Sequence, residues 1–176
     1  MKIIFILIAI CLVIFVLTIV YRFKRGTYIN RKWFNLKEEV FNEEGKKNYL
    51  FLYQPSVHNV SYQVCLDAKN IAVKNGYCVE VDSINLTKKY EFAKYNKIVF
   101  FSCVYSGNIS PNFAYFVRDH KLRGKNILLV MIGMMDFHKS DYRTLSEHLD
   151  SSNKLSVIKL NVTKPNNLEE FFKNKI

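Results

Sequence analysis

Cysteine is scarce and unpatterned in this sequence. Four occur among 176 residues, Cys11, Cys65, Cys78 and Cys103. No two stand at the spacing of a metal-binding pair or a disulfide framework, so neither a zinc site nor a disulfide is expected, and a reducing compartment is favoured. Acid is missing from the front of the chain. Residues 1–34 hold six Lys or Arg and no Asp or Glu, which divides the net charge of +11 into +6 there and +5 beyond. The later share is dispersed, with no basic stripe among exposed aromatics and no nucleic-acid motif, so nucleic-acid binding is not expected. A small-x-small cleavage pattern is also missing before Tyr21 and Arg22. The apolar run ahead of them exceeds the usual core of a cleaved signal peptide, about 7–15 residues.

That run is the first positive feature. Ile3 to Val20 is apolar apart from Thr18. At about 1.5 Å per residue it covers most of a hydrocarbon core about 30 Å thick, so one retained, single-pass transmembrane helix in contact with membrane lipid is expected over residues 1–21. Arg22, Lys24, Arg25, Arg31 and Lys32 follow it, while only Lys2 precedes it. The positive-inside rule then puts the C-terminal domain in the cytoplasm. Residues 22–47 form a basic tether in which Trp33 and Phe34 suit the headgroup level. A short helix is expected to start at Asn35 and to end at Gly45.

From Asn48 onward, apolar runs alternate with helical spacings. Strands are expected at Tyr49 to Tyr53, Tyr77 to Val81, Ile98 to Phe101, Asn126 to Ile132 and Leu155 to Leu160. Val60, Val64, Cys65, Ala68, Ile71 and Ala72 lie at helical spacing, with Gly76 as the stop. Ser110 and Pro111 open a helix carrying Phe113, Phe116 and Val117. Ser140 and Asp141 cap another with Tyr142, Leu145 and Leu149, and Pro165 opens a last one with Leu168, Phe171 and Phe172 facing inward. Only the link from the second strand to Ile98 is short. The pattern predicts an α/β domain over 48–176, a doubly wound, five-stranded parallel sheet with right-handed crossovers. Ile98 to Phe101 has no polar alternation, as in a strand buried on both faces. Ser102 to Asn108 at its carboxyl end is therefore the first candidate site, because helix N-termini and spare N–H groups converge on that rim.

The stretch Tyr95 to Pro111, together with Lys121 to Lys125 before the next strand, resembles the flavodoxin family, and the resemblance runs from about Asn48 to the C-terminus. It implies a flavodoxin-like sheet of order 2-1-3-4-5 with FMN at the switch point between the first and third strands. It also implies three cofactor loops. In the flavin-ring loop, Ser102, Cys103, Val104, Tyr105, Ser106, Gly107 and Asn108, the Tyr105 ring would lie against the isoalloxazine, with backbone groups of the last three residues near its edge. Ile132, Gly133, Met134 and Met135 match the third loop by position. The phosphate loop departs from the family, since Ser56 to Ser61 contains no glycine to let the backbone approach a phosphate at positive φ. What it offers is the hydroxyls of Ser56 and Ser61, the tolerance of Asn59 for a left-handed backbone and the imidazole of His58. Each has a plainer alternative, the serines as helix caps and His58 as a solvated loop residue.

Cys103 reads as a small buried hydrophobe, and Met134, Met135 and Phe137 either cover a flavin edge or fill a core gap. Asp136 and His138 are the nearest acid–base pair, and no catalytic residue is assigned. The resemblance thus implies a membrane-anchored FMN protein passing electrons to a redox partner protein or a quinone-like acceptor. An FMN-dependent oxidoreductase of the quinone or protoporphyrinogen type, and a flavin-free interaction module, are the alternatives.

Overall fold

A long apolar helix precedes the sheet. In the computed structural model, which describes residues 2–31, 39–42, 44–45, 47–105, 107–134, 138–162 and 168–173, helix α1 spans Lys2–Arg31. Within Ile4–Arg25 an 18-residue window reaches a mean hydropathy of 3.3, and none of that window is buried by the rest of the protein. The hydroxyl of Thr18 donates back to the Ile14 carbonyl at 2.8 Å, which satisfies the one polar side chain of the apolar run within the helix itself. The helix continues past Gly26, into what the sequence reads as tether. A single glycine costs only about 1 kcal/mol relative to alanine and does not end a helix this long. Trp33, Phe34 and the expected helix start at Asn35 lie outside the described residues.

The rest of the tether contains a strand rather than a helix. β1 (Glu39–Phe41) runs antiparallel on β3 (Cys78–Ser83), pairing Val40 with Glu80. Phe41 packs under the Lys69 ammonium, 3.9 Å from the ring centroid. This corrects the expected five-stranded parallel sheet to a mixed one of six. The non-local gain of covering the β3 edge outweighs a local capping cue.

The other strands fall where the apolar runs lie: β2 (Asn48–Tyr53), β4 (Lys97–Cys103), β5 (Asn126–Gly133) and β6 (Lys154–Asn161). The order is β1-β3-β2-β4-β5-β6. Apart from β1, neighbours are parallel, and in chain sequence they stand as 2-1-3-4-5. Helices α2 (Val60–Lys74), α3 (Pro111–His120), α4 (Arg143–His148) and α5 (Leu168–Lys173) cover the two faces. Gly76 closes α2 with φ at +83°, the left-handed stop expected there. Pro165 lies outside the described residues.

Alternation along β4 divides the core. Val99 and Phe101 join Phe51, Val81 and Val130 beneath α2, whereas Ile98 and Phe100 join Leu52, Leu129 and the α3 residues Phe113, Phe116 and Val117. Burying each such side chain contributes about 1.5–3 kcal/mol relative to leaving it in water. Between β3 and β4 no α-helix forms. The link crosses the sheet through Leu86, Tyr90, the short 3₁₀ turn Phe92–Lys94 and Tyr95. Buried Glu80 and Asp82 face this link. Lys94 lies 3.0 Å from Glu80, Lys88 lies 2.8 Å from Asp82, and the Tyr95 and Tyr90 hydroxyls donate to Glu80 and Asp82 respectively. Two buried carboxylates are thus held by two cations and two phenols.

Candidate functional site

The carboxyl ends of β2, β4 and β5 carry the loops singled out in the sequence. β2 and β4 are neighbours, with Tyr53 paired to Phe101, although Cys78–Ser83 lies between them in the chain. This is the point where the winding reverses, and α2 and α3 leave it on opposite faces of the sheet.

After β2 the chain turns through Gln54 to Asn59. Ser56 is extended at φ −126° and ψ 167°, and His58 (φ 60°, ψ 20°) and Asn59 (φ 55°, ψ 24°) are consecutively left-handed. The positive-φ step that a glycine serves is therefore made by His58 and Asn59. Both serine hydroxyls turn inward. Ser56 Oγ accepts from the Ser61 N–H at 3.0 Å, and Ser61 Oγ donates to the Gln54 carbonyl, with the two hydroxyl oxygens 3.1 Å apart. Both side chains are buried and brace the loop against the start of α2. The Val57 N–H points the other way and donates to the Tyr105 hydroxyl at 3.1 Å.

Tyr105 arrives there through a tight hairpin. Its N–H donates to the Asn108 carbonyl at 3.0 Å, the Asn108 N–H returns a bond at 3.1 Å, and Gly107 takes φ +70° at the tip. Ser106 lies outside the described residues. Below the hairpin, Ser102 Oγ accepts from the Ser110 N–H at 3.0 Å, so the strand end is tied to the start of α3. The buried Cys103 thiol touches Ser56, Tyr105 and the Ser61 backbone, and burial pushes its pKa up despite those bonds. Burial also pushes the Tyr105 phenol up to about 12, with the adjacent Cys103 thiol adding to it. Cys103 is thus a buried, neutral neighbour of the loop, as its plainer reading has it.

The third loop joins the other two through backbone. The Val104 N–H donates to the Ile132 carbonyl at 2.8 Å, and Val104 Cβ stands 3.6 Å from where a Cβ on Gly133 would be. Met134 is 66% exposed on this rim. Met135, Asp136 and Phe137 lie outside the described residues. Asp141 is buried beyond them, accepting from the His138 N–H at 3.0 Å, while its own carbonyl accepts from the Ile109 N–H at 2.9 Å.

Two residues beneath the site were not legible in the sequence. The Gln54 amide oxygen accepts from Asn112 Nδ2 at 3.0 Å and from the Ser110 hydroxyl at 3.3 Å, all three side chains being buried. This network couples the loops after β2 and β4. Its one sequence signal is a glutamine set directly after an apolar strand. A concavity of about 400 Å³ lined by Lys47, Lys97, Asn126 and Lys154 lies at the opposite rim. It gathers no helix N-terminus and so lacks the donors that mark the upper rim.

A phenolic oxygen seated 3.1 Å from the Val57 N–H is a stand-in acceptor, and it establishes that this donor can take an oxygen there. With the left-handed pair His58 and Asn59 beside it, what the loop offers an anion such as the phosphate of FMN is backbone N–H rather than the buried hydroxyls of the two serines.

A family model described as a flavodoxin domain matches residues 57–170. None of the curated proteins matches the chain. Among solved structures, the flavodoxin of Streptococcus pneumoniae TIGR4 superposes with a TM-score of 0.53 at 14% identity, over 72% of this chain and 94% of that one. A flavodoxin mutant from Pseudomonas aeruginosa gives 0.50 at 12% identity, over 72% and 92%. A mutant flavo di-iron protein from Thermotoga maritima gives 0.54 at 12% identity, over 84% of this chain but only 36% of its own. These likenesses support the fold, and the family match extends over well more than half of the sequence: the chain belongs to the flavodoxin family.

Proposed function

We propose that this protein binds FMN non-covalently between the loops after β2, β4 and β5 and passes electrons at the cytoplasmic surface of a membrane that α1 anchors it to. The observation that carries the flavin reading is the Val57 N–H, aimed at an oxygen acceptor beside a left-handed pair at the switch point of a flavodoxin sheet. FMN, when bound, supplies the electron chemistry. The chain's own task is to hold it. Val57 and the first turn of α2 favour the phosphate through N–H groups and the positive end of the helix. The hairpin Tyr105 to Asn108 flanks the ring side, and the buried bonds among Gln54, Ser110 and Asn112 keep the two loops in register. Anchoring is supported by the length of the apolar run Ile3 to Val20, and its direction by Arg22, Lys24, Arg25, Arg31 and Lys32, which follow it. The electron acceptor is a redox protein or a quinone-like molecule reached at that surface.

The test is reconstitution. Full-length protein in detergent, mixed with excess FMN and freed of unbound ligand, is expected to keep flavin absorbance that bleaches reversibly with a chemical reductant. A colourless protein at saturating FMN overturns the flavin reading. It would select instead the flavin-free interaction module, which the inward-turned hydroxyls of Ser56 and Ser61 favour.

A further inference from the structure

The Tyr105 phenol and a bound phosphate claim the same donor. The Val57 N–H gives its hydrogen to the phenolic oxygen, and the Tyr105 backbone is fixed by paired bonds to Asn108. The half-buried ring stands over the loop, with the Cys103 thiol beneath it. The Ser61 hydroxyl is spent on the Gln54 carbonyl, and Ser56 Oγ accepts from Ser61 while its own hydroxyl lies against the Tyr105 phenol and the Cys103 thiol, so the phenol holds both the Val57 N–H and a share of the Ser56 hydroxyl.

We propose that Tyr105 sets the ligand specificity of this loop by standing in for a phosphate oxygen, which weakens its preference for a phosphorylated flavin over an unphosphorylated one. A phosphate oxygen makes a charge-assisted bond about twice as strong as one to a neutral phenol, so phosphate displaces the hydroxyl but must first break its bond. Riboflavin has no phosphate and leaves the phenol in place. The flavin half of this inference rests on the function proposed above, whereas competition for the donor does not.

The experiment is a double-mutant cycle on full-length protein in detergent: wild type, Tyr105→Phe, Val57→Pro and the pair, each titrated with FMN and with riboflavin by flavin fluorescence. Tyr105→Phe keeps the ring and deletes the competing oxygen. Val57→Pro deletes the donor, and the extended Ser56 before it is the backbone that a following proline requires. Tyr105→Phe is expected to raise the FMN-to-riboflavin affinity ratio by roughly three- to tenfold, the worth of one net neutral hydrogen bond. In the Val57→Pro background the gain is expected to shrink to what the Ser56 hydroxyl, also released by loss of the phenolic oxygen, can add. An unchanged or lower ratio in Tyr105→Phe overturns the inference, and so does a gain that Val57→Pro leaves undiminished.

Inorganic phosphate, followed through the Val57 amide resonance, separates this inference from the flavin reading. If no variant binds either flavin, the proposed function fails. Tighter phosphate binding in Tyr105→Phe than in wild type would then still uphold the role of Tyr105, and equal binding would overturn it.

Discussion

His58 takes φ +60° without being a glycine, and Asn59 beside it does the same at +55°. The two are not equally strained, because a short polar side chain such as asparagine's tolerates the left-handed region and an imidazole gains less there. His58→Gly removes about 1–2 kcal/mol of crowding and adds part of that back as unfolded-chain entropy, so a net gain of about 0.5–1 kcal/mol is expected. Chemical denaturation of the detergent-solubilised chain measures it. A loss of stability would mean that the His58 side chain holds the loop through contacts worth more than the strain.

Two elements depend on close or buried contacts that local sequence does not announce. In the turn from β1 to β2, a Cβ on Gly45 would fall 2.2 Å from the Cys78 nitrogen and 2.6 Å from the Tyr77 carbonyl carbon, both of them backbone. Neither atom can swing aside. Gly45→Ala is therefore expected to cost about 1–3 kcal/mol, as overpacking does, and to loosen β1 before the parallel strands. Hydrogen exchange decides this, with faster exchange at Glu39–Phe41 expected and unchanged protection there refuting it. On the other face of β3, Asp82→Ala removes the acceptor 2.8 Å from Lys88, which keeps Glu80 at 3.6 Å, and the carboxylate to which the Tyr90 hydroxyl donates. Removing one partner from a largely buried charge network costs about 3 kcal/mol. A denaturation midpoint that does not move would show the network to be solvated.

At the scale of the whole molecule, the phenols of Tyr49 and Tyr105 are both pushed up to about 12. Burial is the leading cause for each, followed by Tyr77 beside the first and Cys103 beside the second. Their folded-state values lie above the unfolded one, so the stability they contribute is complete below about pH 10 and is lost as pH rises through 12. Alkaline unfolding is expected in that window, with the last part of the tyrosinate absorbance rising in step with loss of structure. Ionisation of all eleven tyrosines near pH 10 in a protein that stays folded would contradict it. Topology is tested at the same scale. Protease added to intact cells should spare the domain and cut it only after lysis, and cutting from outside would reverse the orientation read from the basic flank of α1.

Strand positions, the central place of Ile98 to Phe101 and the rim where the candidate loops meet were legible in the sequence. Each depends on period and continuity within a few residues, and a continuous apolar run without alternation has few homes other than a strand covered on both faces. Where side chains point once loops meet was decided by tertiary contact alone. Tyr105 reaches Val57 across 48 residues, and Asn112 reaches Gln54 across 58. β1 exists because β3 offers it an open edge, and its three residues carry too short a pattern to reveal a partner. The inward turn of Ser56 and Ser61 has the same origin. A hydroxyl beside a phosphate loop and a hydroxyl bracing a helix start look alike in sequence, and only the folded backbone decides which acceptor lies within reach.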